Sequence, residues 1–226
     1  MPTYRQPVLG PRDCPTREFS GAGDLKPARR SQPRSRSHFI DPIGRRLGRV
    51  EVVTVNSDQL DAACRLALRA LCDDAFGDRF SDEDAEHAYG GVHILVHDSD
   101  RLIAHASAVP RRIRFADSPW RTVGYVEAVA THPERQGEGI GRQVMARLQE
   151  EIFSRWPLAL LSTGRATGFY ELLGWQRWRG LSYTQAATRV VPDGEHGGIM
   201  ILSADPAPLP DLSVAVTCED RTGDAW

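Results

Sequence analysis

The residues best suited to chemistry lie between Gly124 and Arg142, where an apolar run, a glycine-rich stretch and a helical pattern follow one another. Residues 125–130, Tyr-Val-Glu-Ala-Val-Ala, are rich in β-branched and aromatic residues and predict a strand. Residues 136–141, Gln-Gly-Glu-Gly-Ile-Gly, then lead into a run with helical spacing of apolar residues. A glycine-rich loop that opens a helix exposes backbone N–H groups at the positive end of the helix dipole. The sequence therefore predicts a site for a phosphate or pyrophosphate.

The spacing of the glycines narrows the choice of ligand. A dinucleotide fingerprint needs a third glycine where Arg142 stands, and the Gly-Lys-Ser/Thr ending of a P-loop is absent. What remains is Gln-x-x-Gly-x-Gly, formed by Gln136, Gly139 and Gly141. This pattern resembles the acyl-CoA loop of the GCN5-related N-acetyltransferases, with a glycine-rich helix start that binds no ligand as the alternative. The resemblance implies acetyl-CoA contacts from Val129, Ala130, Thr131, Gln136, Gly137, Glu138, Gly139, Ile140 and Gly141.

The elements around the loop predict an α+β fold in which helices flank a mixed, mostly antiparallel sheet. Besides the central strand, strands are predicted at 49–55, 92–97, 101–110, 111–115, 157–161, 175–178, 197–203 and 212–218. Helices are predicted after Ser57 or Asp58 as the capping residue, from Arg142 onwards and over 165–173, with one helical turn after Ser81. The resemblance implies the fold of the GCN5-related N-acetyltransferases.

Charge and composition divide the chain in two. Residues 1–48 are rich in Pro, Arg, Ser and Gly without periodicity and predict a disordered extension, which leaves 49–226 as the acetyltransferase domain. A basic arm that contacts nucleic acid and a start codon assigned too far upstream are the alternatives for this extension. Eleven of the 28 basic residues but only four of the 30 acidic ones lie in 1–49. The remainder is therefore acidic, which favours a cationic substrate over nucleic acid, although a soluble acidic surface gives the same charge.

Several classes of protein are not indicated. No apolar run approaches 18 residues and no secretory leader is visible, so neither membrane insertion nor secretion is predicted. Four scattered cysteines show no metal-like spacing and indicate free thiols in the cytoplasm, and no metal is expected.

Four further motifs sharpen the resemblance. They are Gly-Gly-Val-His at 90–93, Gly-Tyr-Val-Glu at 124–127, Phe-Tyr-Glu-Leu-Leu-Gly-Trp at 169–175 and Arg-Thr-Gly-Asp-Ala-Trp at 221–226. Together they resemble the aminoglycoside 2′-N-acetyltransferases from about residue 50 to the last residue. The resemblance implies acetyl-CoA as co-substrate, a cytoplasmic homodimer, and inactivation of an antibiotic that gives resistance.

Acyl transfer to an amine sets its own requirements. The amine must be neutral to attack, yet amines are mostly protonated near neutral pH, so a proton acceptor is needed within reach. The resemblance implies that Glu127 is this base, acting through a water molecule, and that Tyr170 protonates the leaving thiolate. A backbone N–H near Val129 would meet the oxyanion. The alternatives are a solvent-facing or Arg-paired Glu127 and a Tyr170 that belongs to the core.

Carboxylates should dominate the acceptor site, because aminoglycosides are polycations. The expected substrate-binding residues are Asp78, Arg79, Asp84, Glu127, Ala128, Ser162, Glu195, Asp224 and Trp226, the last with its carboxylate. Acetylation of another polyamine or aminosugar metabolite is the runner-up function. A non-catalytic module that binds CoA or another ligand is the second alternative.

Arg79 departs from the family pattern. The family's acidic loop reads Gly-Asp-Phe, whereas residues 77–80 read Gly-Asp-Arg-Phe, so aligning Phe80 puts Arg79 where the aspartate faces a drug amine. A guanidinium repels an ammonium but pairs well with a carboxylate. Kasugamycin has both a 2′-amine and a carboxylate, so a kasugamycin-like substrate is one hypothesis. In the other, Asp78 slips by one residue into the familiar role and Arg79 faces solvent.

Overall fold

A computed structural model describes residues 50–187, 189–192 and 198–226. The segment 1–48, predicted to be disordered, and the predicted substrate residue Glu195 lie outside the described residues. Within the described ranges the strands are β1 (Val50–Asn56), β2 (Val92–Asp98), β3 (Arg101–Phe115), β4 (Arg121–Thr131), β5 (Leu158–Ser162), β6 (Gln176–Arg177), β7 (Ser182–Ala186), β8 (Arg189–Pro192), β9 (Ile199–Ser203) and β10 (Val216–Glu219). The helices are α1 (Ala62–Phe76), α2 (Asp82–His87), α3 (Ile140–Phe153) and α4 (Thr167–Glu171). None of the described helices has the length and apolar character needed to cross a membrane.

The strands form one mixed sheet in the order β6-β9-β5-β4-β3-β10-β7-β8, and β2 and β1 extend it from the other part of β3. The pairs β4–β5 and β7–β10 are parallel, and the remaining pairs are antiparallel. The α+β class with a mostly antiparallel sheet is therefore confirmed.

Helices cover both faces of the sheet. On β2, Ile94 and Val96 pack in the cluster that contains the buried residues of α3, whereas Leu95 between them packs against Leu68 of α1. Because side chains alternate across a strand, α1 and α3 lie on opposite faces. The apolar stripe of α3, predicted from its spacing, is buried and includes Met145, Leu148 and Ile152.

The predicted cap of α1 is wrong, since the helix begins at Ala62 and Asp61 accepts a hydrogen bond from the Cys64 N–H at 2.8 Å. Ser57 lies in a short 3-10 turn instead, and its hydroxyl oxygen accepts the N–H groups of Gly90 and Gly91 at 2.8 and 3.0 Å. Its side chain is therefore not available to a helix start. The last predicted strand also begins later, at Val216.

Two further expectations need correction. The stretches 101–110 and 111–115 form the single strand β3, and β7 and β8 were not predicted. Cys72 and Cys218 are buried and form no disulfide, whereas Cys64 is disulfide-bonded, so the prediction of four free thiols is wrong for Cys64.

The central strand β4 separates from its neighbour β5 partway along. The two strands pair only at Gly124–Ala159 and Tyr125–Leu160, so the rest of β4 has no partner on that side among the residues that the structure describes. On its other side, the pairing of β4 with β3 shifts register between His105 and Ser107. This irregularity is a β-bulge, with Ala128 in the left-handed region at φ +49°. The parting of β4 and β5 opens a gap in the sheet beside the glycine-rich loop.

Candidate active site

A cavity of about 960 Å³ lies along the second half of β4 and the start of α3. Its walls come from β4, the glycine-rich loop and α4. The lining residues are Val129, Thr131, Arg135, Gln136, Gly137, Glu138, Gly139, Ile140, Gly141, Arg142, Gln143, Ala166, Phe169 and Tyr170. Every residue predicted to contact acetyl-CoA lines this cavity except Ala130. The Ala130 side chain is buried with Leu71 and Cys72 in a separate cluster.

The loop has the backbone geometry of an anion site. Gly137 and Gly139 both adopt φ +81°, a conformation that L side chains rarely adopt, and a Cβ built on either would meet nothing within 4 Å. Gly139 is the N-cap of α3 and no side chain caps this helix start. The first N–H groups of α3 are therefore left for a ligand, at the positive end of the helix dipole.

Polar contacts hold the loop in place. The Gln136 side chain donates from Nε2 to the Thr131 carbonyl at 3.1 Å. The Arg135 guanidinium pairs with Glu138 at 2.9 Å and with Asp98 on β2. Because Arg135 neutralises the Glu138 carboxylate, this acid repels a bound pyrophosphate less than a free carboxylate would. The residues present thus fit a CoA pyrophosphate.

Glu127 lies on β4 immediately before the bulge, two residues from Val129 in the cavity wall. Its Oε1 accepts a hydrogen bond from Arg221 Nη1 at 2.6 Å, and both side chains are only 15% exposed. Burial raises the pKa of the Glu127 carboxyl above its ordinary value, and Arg221 opposes that rise. The site therefore contains a carboxylate whose proton affinity is increased by burial and restrained by one arginine.

Arg221 belongs to a C-terminal segment that folds back beside Glu127. Arg221 Nε donates to the Asp224 carbonyl at 2.7 Å, and Arg111 Nη2 on β3 donates to the Ala225 carbonyl at 2.9 Å. His87 of α2 donates from Nε2 to the Thr222 carbonyl at 2.7 Å. The segment thus connects α2, β3 and the carboxylate of Glu127.

Tyr170 on α4 lines the cavity and is 7% exposed. Its ring makes edge contacts with Phe169 and Trp175, with centroid distances of 5.1 and 6.0 Å. Burial raises the pKa of the Tyr170 hydroxyl, so the group is protonated near neutral pH but is a weaker acid than an exposed tyrosine. The Tyr170 side chain therefore packs in the hydrophobic core and also forms part of the cavity wall.

The remaining predicted substrate residues do not form one cluster. The Asp84 carboxylate accepts the Ser81 N–H at 2.9 Å and closes the capping box of α2, and its charge contributes to raising the pKa of Glu127. Asp78 and Arg79 are exposed in the turn after α1, and Ser162 is exposed at the end of β5. Within the described ranges, no hydrogen bond or ion pair joins these three to Glu127.

Three other substrate candidates lie on the elements already described. Ala128 is half-buried at the bulge. The Asp224 carboxylate accepts the N–H of Trp226 at 3.0 Å, and the Trp226 side chain packs against a buried cluster that contains Ile113, Tyr125 and Val216.

Comparison with known proteins fits this geometry. A family model described as "Acetyltransferase (GNAT) domain" matches residues 55–178. An aminoglycoside 2′-N-acetyltransferase of Mycolicibacterium fortuitum is 37% identical over 181 residues, which are 76% of this chain and 90% of the relative. The chain belongs to the aminoglycoside 2′-N-acetyltransferases. This GNAT enzyme is an acyl-CoA-dependent N-acetyltransferase, and the predicted family, fold and enzyme class are confirmed.

Solved structures support the fold of this acetyltransferase. The GNAT protein YhbS of Escherichia coli, crystallised with CoA, matches 86% of this chain and 98% of its own at a TM-score of 0.55 and 13% identity. Escherichia coli ElaA matches 67% of this chain and 98% of its own at a TM-score of 0.51 and 21% identity. At these identities the likeness concerns the fold alone.

Sequence reasoning missed two arginines near Glu127 in the candidate site. Arg221 stands in the C-terminal motif, but its pairing with Glu127 joins residues 94 positions apart. Arg111 is 5% exposed, which marks it as unusual once burial is known. Neither contact has a local signal in the sequence.

Proposed function

We propose that this enzyme acetylates the 2′-amino group of an aminoglycoside with acetyl-CoA and thereby gives resistance to the antibiotic. The observation that carries the proposal is the buried Glu127 carboxylate, which adjoins the wall of a cavity that fits CoA. The identity of the Mycolicibacterium relative points to the same acceptor class. We further propose a domain over 49–226 preceded by an extension, a cytoplasmic location, and a homodimer.

The side chains divide the proton transfers between them. Acetyl-CoA supplies the acetyl group, since the amine nitrogen bonds to the thioester carbonyl carbon and the C–S bond breaks, which leaves an N-acetyl amine and the CoA thiol. Glu127 accepts the proton that the amine loses, through one water molecule. Tyr170 donates the proton that the departing sulfur needs and is reprotonated from solvent, and Glu127 releases to solvent the proton that it accepted. The charges and protons balance without a metal or an acyl-enzyme.

Acidic groups favour a cationic acceptor beside Glu127. The first turn of α2 contains Asp82, Glu83 and Asp84, and the segment that pairs with Glu127 contains Asp224. These carboxylates attract an ammonium group and can form charge-assisted hydrogen bonds with it. The proposed acceptor site therefore lies between α2, β4 and the C-terminal segment.

Turnover of acetyl-CoA with a panel of amines tests the proposed function. We expect one acetyl group on the 2′-nitrogen, located by NMR of the product. An aminoglycoside with a hydroxyl at the 2′ position is the matched control and should not be acetylated. Acetylation of spermidine but of no aminoglycoside would favour the polyamine alternative. Acetyl-CoA binding without turnover of any amine would favour a binding module.

Replacing Arg221 by Gln should move the acid side of the pH–kcat/KM profile to higher pH. Arg221 lowers the pKa of Glu127, so its removal raises that pKa, and the base is then protonated, and inactive, at a higher pH than before. The comparison is the apparent pKa of the acid limb in wild type, Arg221→Gln and the control Arg177→Gln, whose guanidinium pairs with exposed Glu171. An unmoved acid limb in Arg221→Gln would show that Glu127 is not the titrating base.

Arg79 supports a narrower proposal, that the enzyme prefers kasugamycin-like substrates, which have a carboxylate. Its Nε donates to the Phe76 carbonyl at 3.2 Å, and among the described residues no carboxylate pairs with it. An unpaired guanidinium beside a substrate ammonium would repel it, whereas a substrate carboxylate would pair with it.

Arg79→Asp should lower kcat/KM for kasugamycin and raise it for tobramycin. At roughly 1 kcal/mol for an exposed pair, each change should be about fivefold. Arg121→Asp makes the same change of charge at an exposed position on β4 and is the control. If wild type prefers tobramycin and Arg79→Asp leaves the ratio of the two substrates unchanged, Arg79 does not read the substrate.

A further inference from the structure

A buried chain of hydrogen bonds runs from Ser57 to the bulge of β4. Ser57 Oγ lies 2.8 Å from His93 Nε2, and His93 Nδ1 lies 3.0 Å from His105 Nε2. His105 Nδ1 in turn lies 2.8 Å from the Ala128 carbonyl oxygen. His93 and His105 are 0% and 1% exposed. The proposed acetyl transfer uses neither histidine, so their role is open.

The direction of each bond follows from chemistry. A carbonyl oxygen only accepts, so His105 must donate from Nδ1–H to Ala128. Burial lowers the pKa of His93 to about 4 and that of His105 to about 3, so both rings are neutral near pH 7. The neutral His105 then accepts at Nε2 from His93 Nδ1–H, and His93 accepts at Nε2 from the Ser57 hydroxyl. Both histidines therefore carry their proton on Nδ1.

Ala128 lies at the bulge, outside the regular pairing of residues between β3 and β4. The pairing goes from Ser107–Glu127 to His105–Ala130, so Ala128 and Val129 have no partner residue on β3. The His105 side chain replaces the missing backbone partner of the Ala128 carbonyl. It does so at a residue with φ +49°, a strained conformation for alanine that surrounding contacts must hold.

The hydrogen bond from His105 to the Ala128 carbonyl also fixes the direction of the Val129 N–H, because both groups belong to the same planar peptide. The Ala128–Val129 bond is trans, so its C=O and N–H point in opposite directions. Because the C=O points to the His105 side chain, the Val129 N–H points away from that ring. Val129 itself lines the acyl-CoA cavity, on the part of β4 from which β5 has separated.

We propose that His105, with its tautomer fixed by His93 and Ser57, is a positioning residue that directs the Val129 N–H at the thioester carbonyl oxygen of acetyl-CoA. A hydrogen bond there polarises the carbonyl for attack and stabilises the negative charge that develops on its oxygen. The inference rests on acyl-CoA binding in this cavity, but it does not depend on which amine is the acceptor.

Two isosteric substitutions separate this role from packing. In His105→Asn the amide nitrogen occupies the place of Nδ1 and can still donate to Ala128, whereas in His105→Gln it takes the place of Nε2 and cannot. With acetyl-CoA labelled by ¹³C at the carbonyl, we expect a downfield shift on binding to wild type and His105→Asn. In His105→Gln the bound resonance should return toward that of free acetyl-CoA, at an unchanged Kd for CoA.

Kinetics should follow the same order. Loss of one preorganised donor costs roughly 10²-fold in kcat, so His105→Gln should fall by about that factor. His105→Asn should recover most of the loss, and KM for the amine should stay the same in both. Equal carbonyl shifts and equal kcat in the two variants would overturn the proposal.

The tautomers of His93 and His105 can be measured in the unmodified protein. This measurement tests the proposal even if a variant does not fold. In ¹⁵N-histidine spectra we expect Nδ1–H for His93 and His105, unchanged from about pH 6 to 8. An Nε2–H tautomer of His105 would overturn the proposal. If the carbonyl shifts follow the expected order but no aminoglycoside is acetylated, then the acceptor assignment fails and the role of His105 stands.

Discussion

Gly139→Glu should weaken acetyl-CoA binding about a thousandfold. Gly139 has φ +81° and open space where a Cβ would stand, so a side chain there enters the cavity at the uncapped start of α3. A carboxylate about 4 Å from the CoA pyrophosphate would repel it by roughly 4 kcal/mol, which corresponds to about three powers of ten in Kd. Isothermal calorimetry with acetyl-CoA measures the loss.

The matched control is Gly174→Glu, outside the cavity lining. Gly174 has a similar φ of +87° and only an ordinary contact of 3.7 Å with Leu202, so this variant adds the same charge with the same backbone strain. Gly141→Glu should behave like Gly139→Glu, since Gly141 also lines the cavity. Unchanged acetyl-CoA affinity in both loop variants would show that the pyrophosphate binds elsewhere.

The geometry of the glycine-rich loop was predictable because its signals are local. Gly139 and Gly141 stand at fixed spacing behind a β-rich run, and a helix start and a loop are both determined by residues within one turn. The stripe of α3 was predictable for the same reason. Its apolar residues repeat at the helical period and need no information about the partner surface.

The length of β3 could not be predicted, because Pro110 marks a strand end in most contexts. In the structure β3 pairs with β2 only as far as Ala108 and with β10 only from Ile113. Pro110 lies between these stretches, where β4 is the one strand in the described part of the chain that pairs with β3. A proline, which lacks the backbone N–H, is tolerated there. The stretch between the β2 and β10 pairings of β3 is known only once the three strands are placed in the sheet.

The electrostatic environment of Glu127 depends on contacts distant in sequence. Arg221 reaches it from the C-terminal segment, and the bulge at Ala128 is held by His105 from the neighbouring strand. Alanine has no sequence preference that marks a left-handed position, as glycine has. The sequence could therefore single out Glu127 as a candidate base but could predict neither its arginine partner nor the direction of the adjacent peptide.

Glu127→Gln should lower kcat by roughly 10²–10⁴-fold, the usual contribution of a general base. Glutamine keeps the shape of the side chain and an oxygen that can accept from Arg221, but it cannot take a proton at these pH values. Burial raises the pKa of Glu127 toward the working pH, where a carboxylate is a stronger base than an exposed one. The loss should therefore come from proton transfer rather than from binding.

The pH dependence of Glu127→Gln separates a base from a structural carboxylate. Without the base, the reaction relies on the small fraction of amine that is already neutral, so turnover should rise with pH and the deficit should be greatest at low pH. The measurement is kcat across about pH 6–9 with Kd for acetyl-CoA determined in parallel. Glu171→Gln, at the exposed ion pair with Arg177, is the control and should match wild type. If Glu127→Gln keeps wild-type kcat over the whole range, the proton of the amine leaves by another route and Glu127 serves only to hold Arg221.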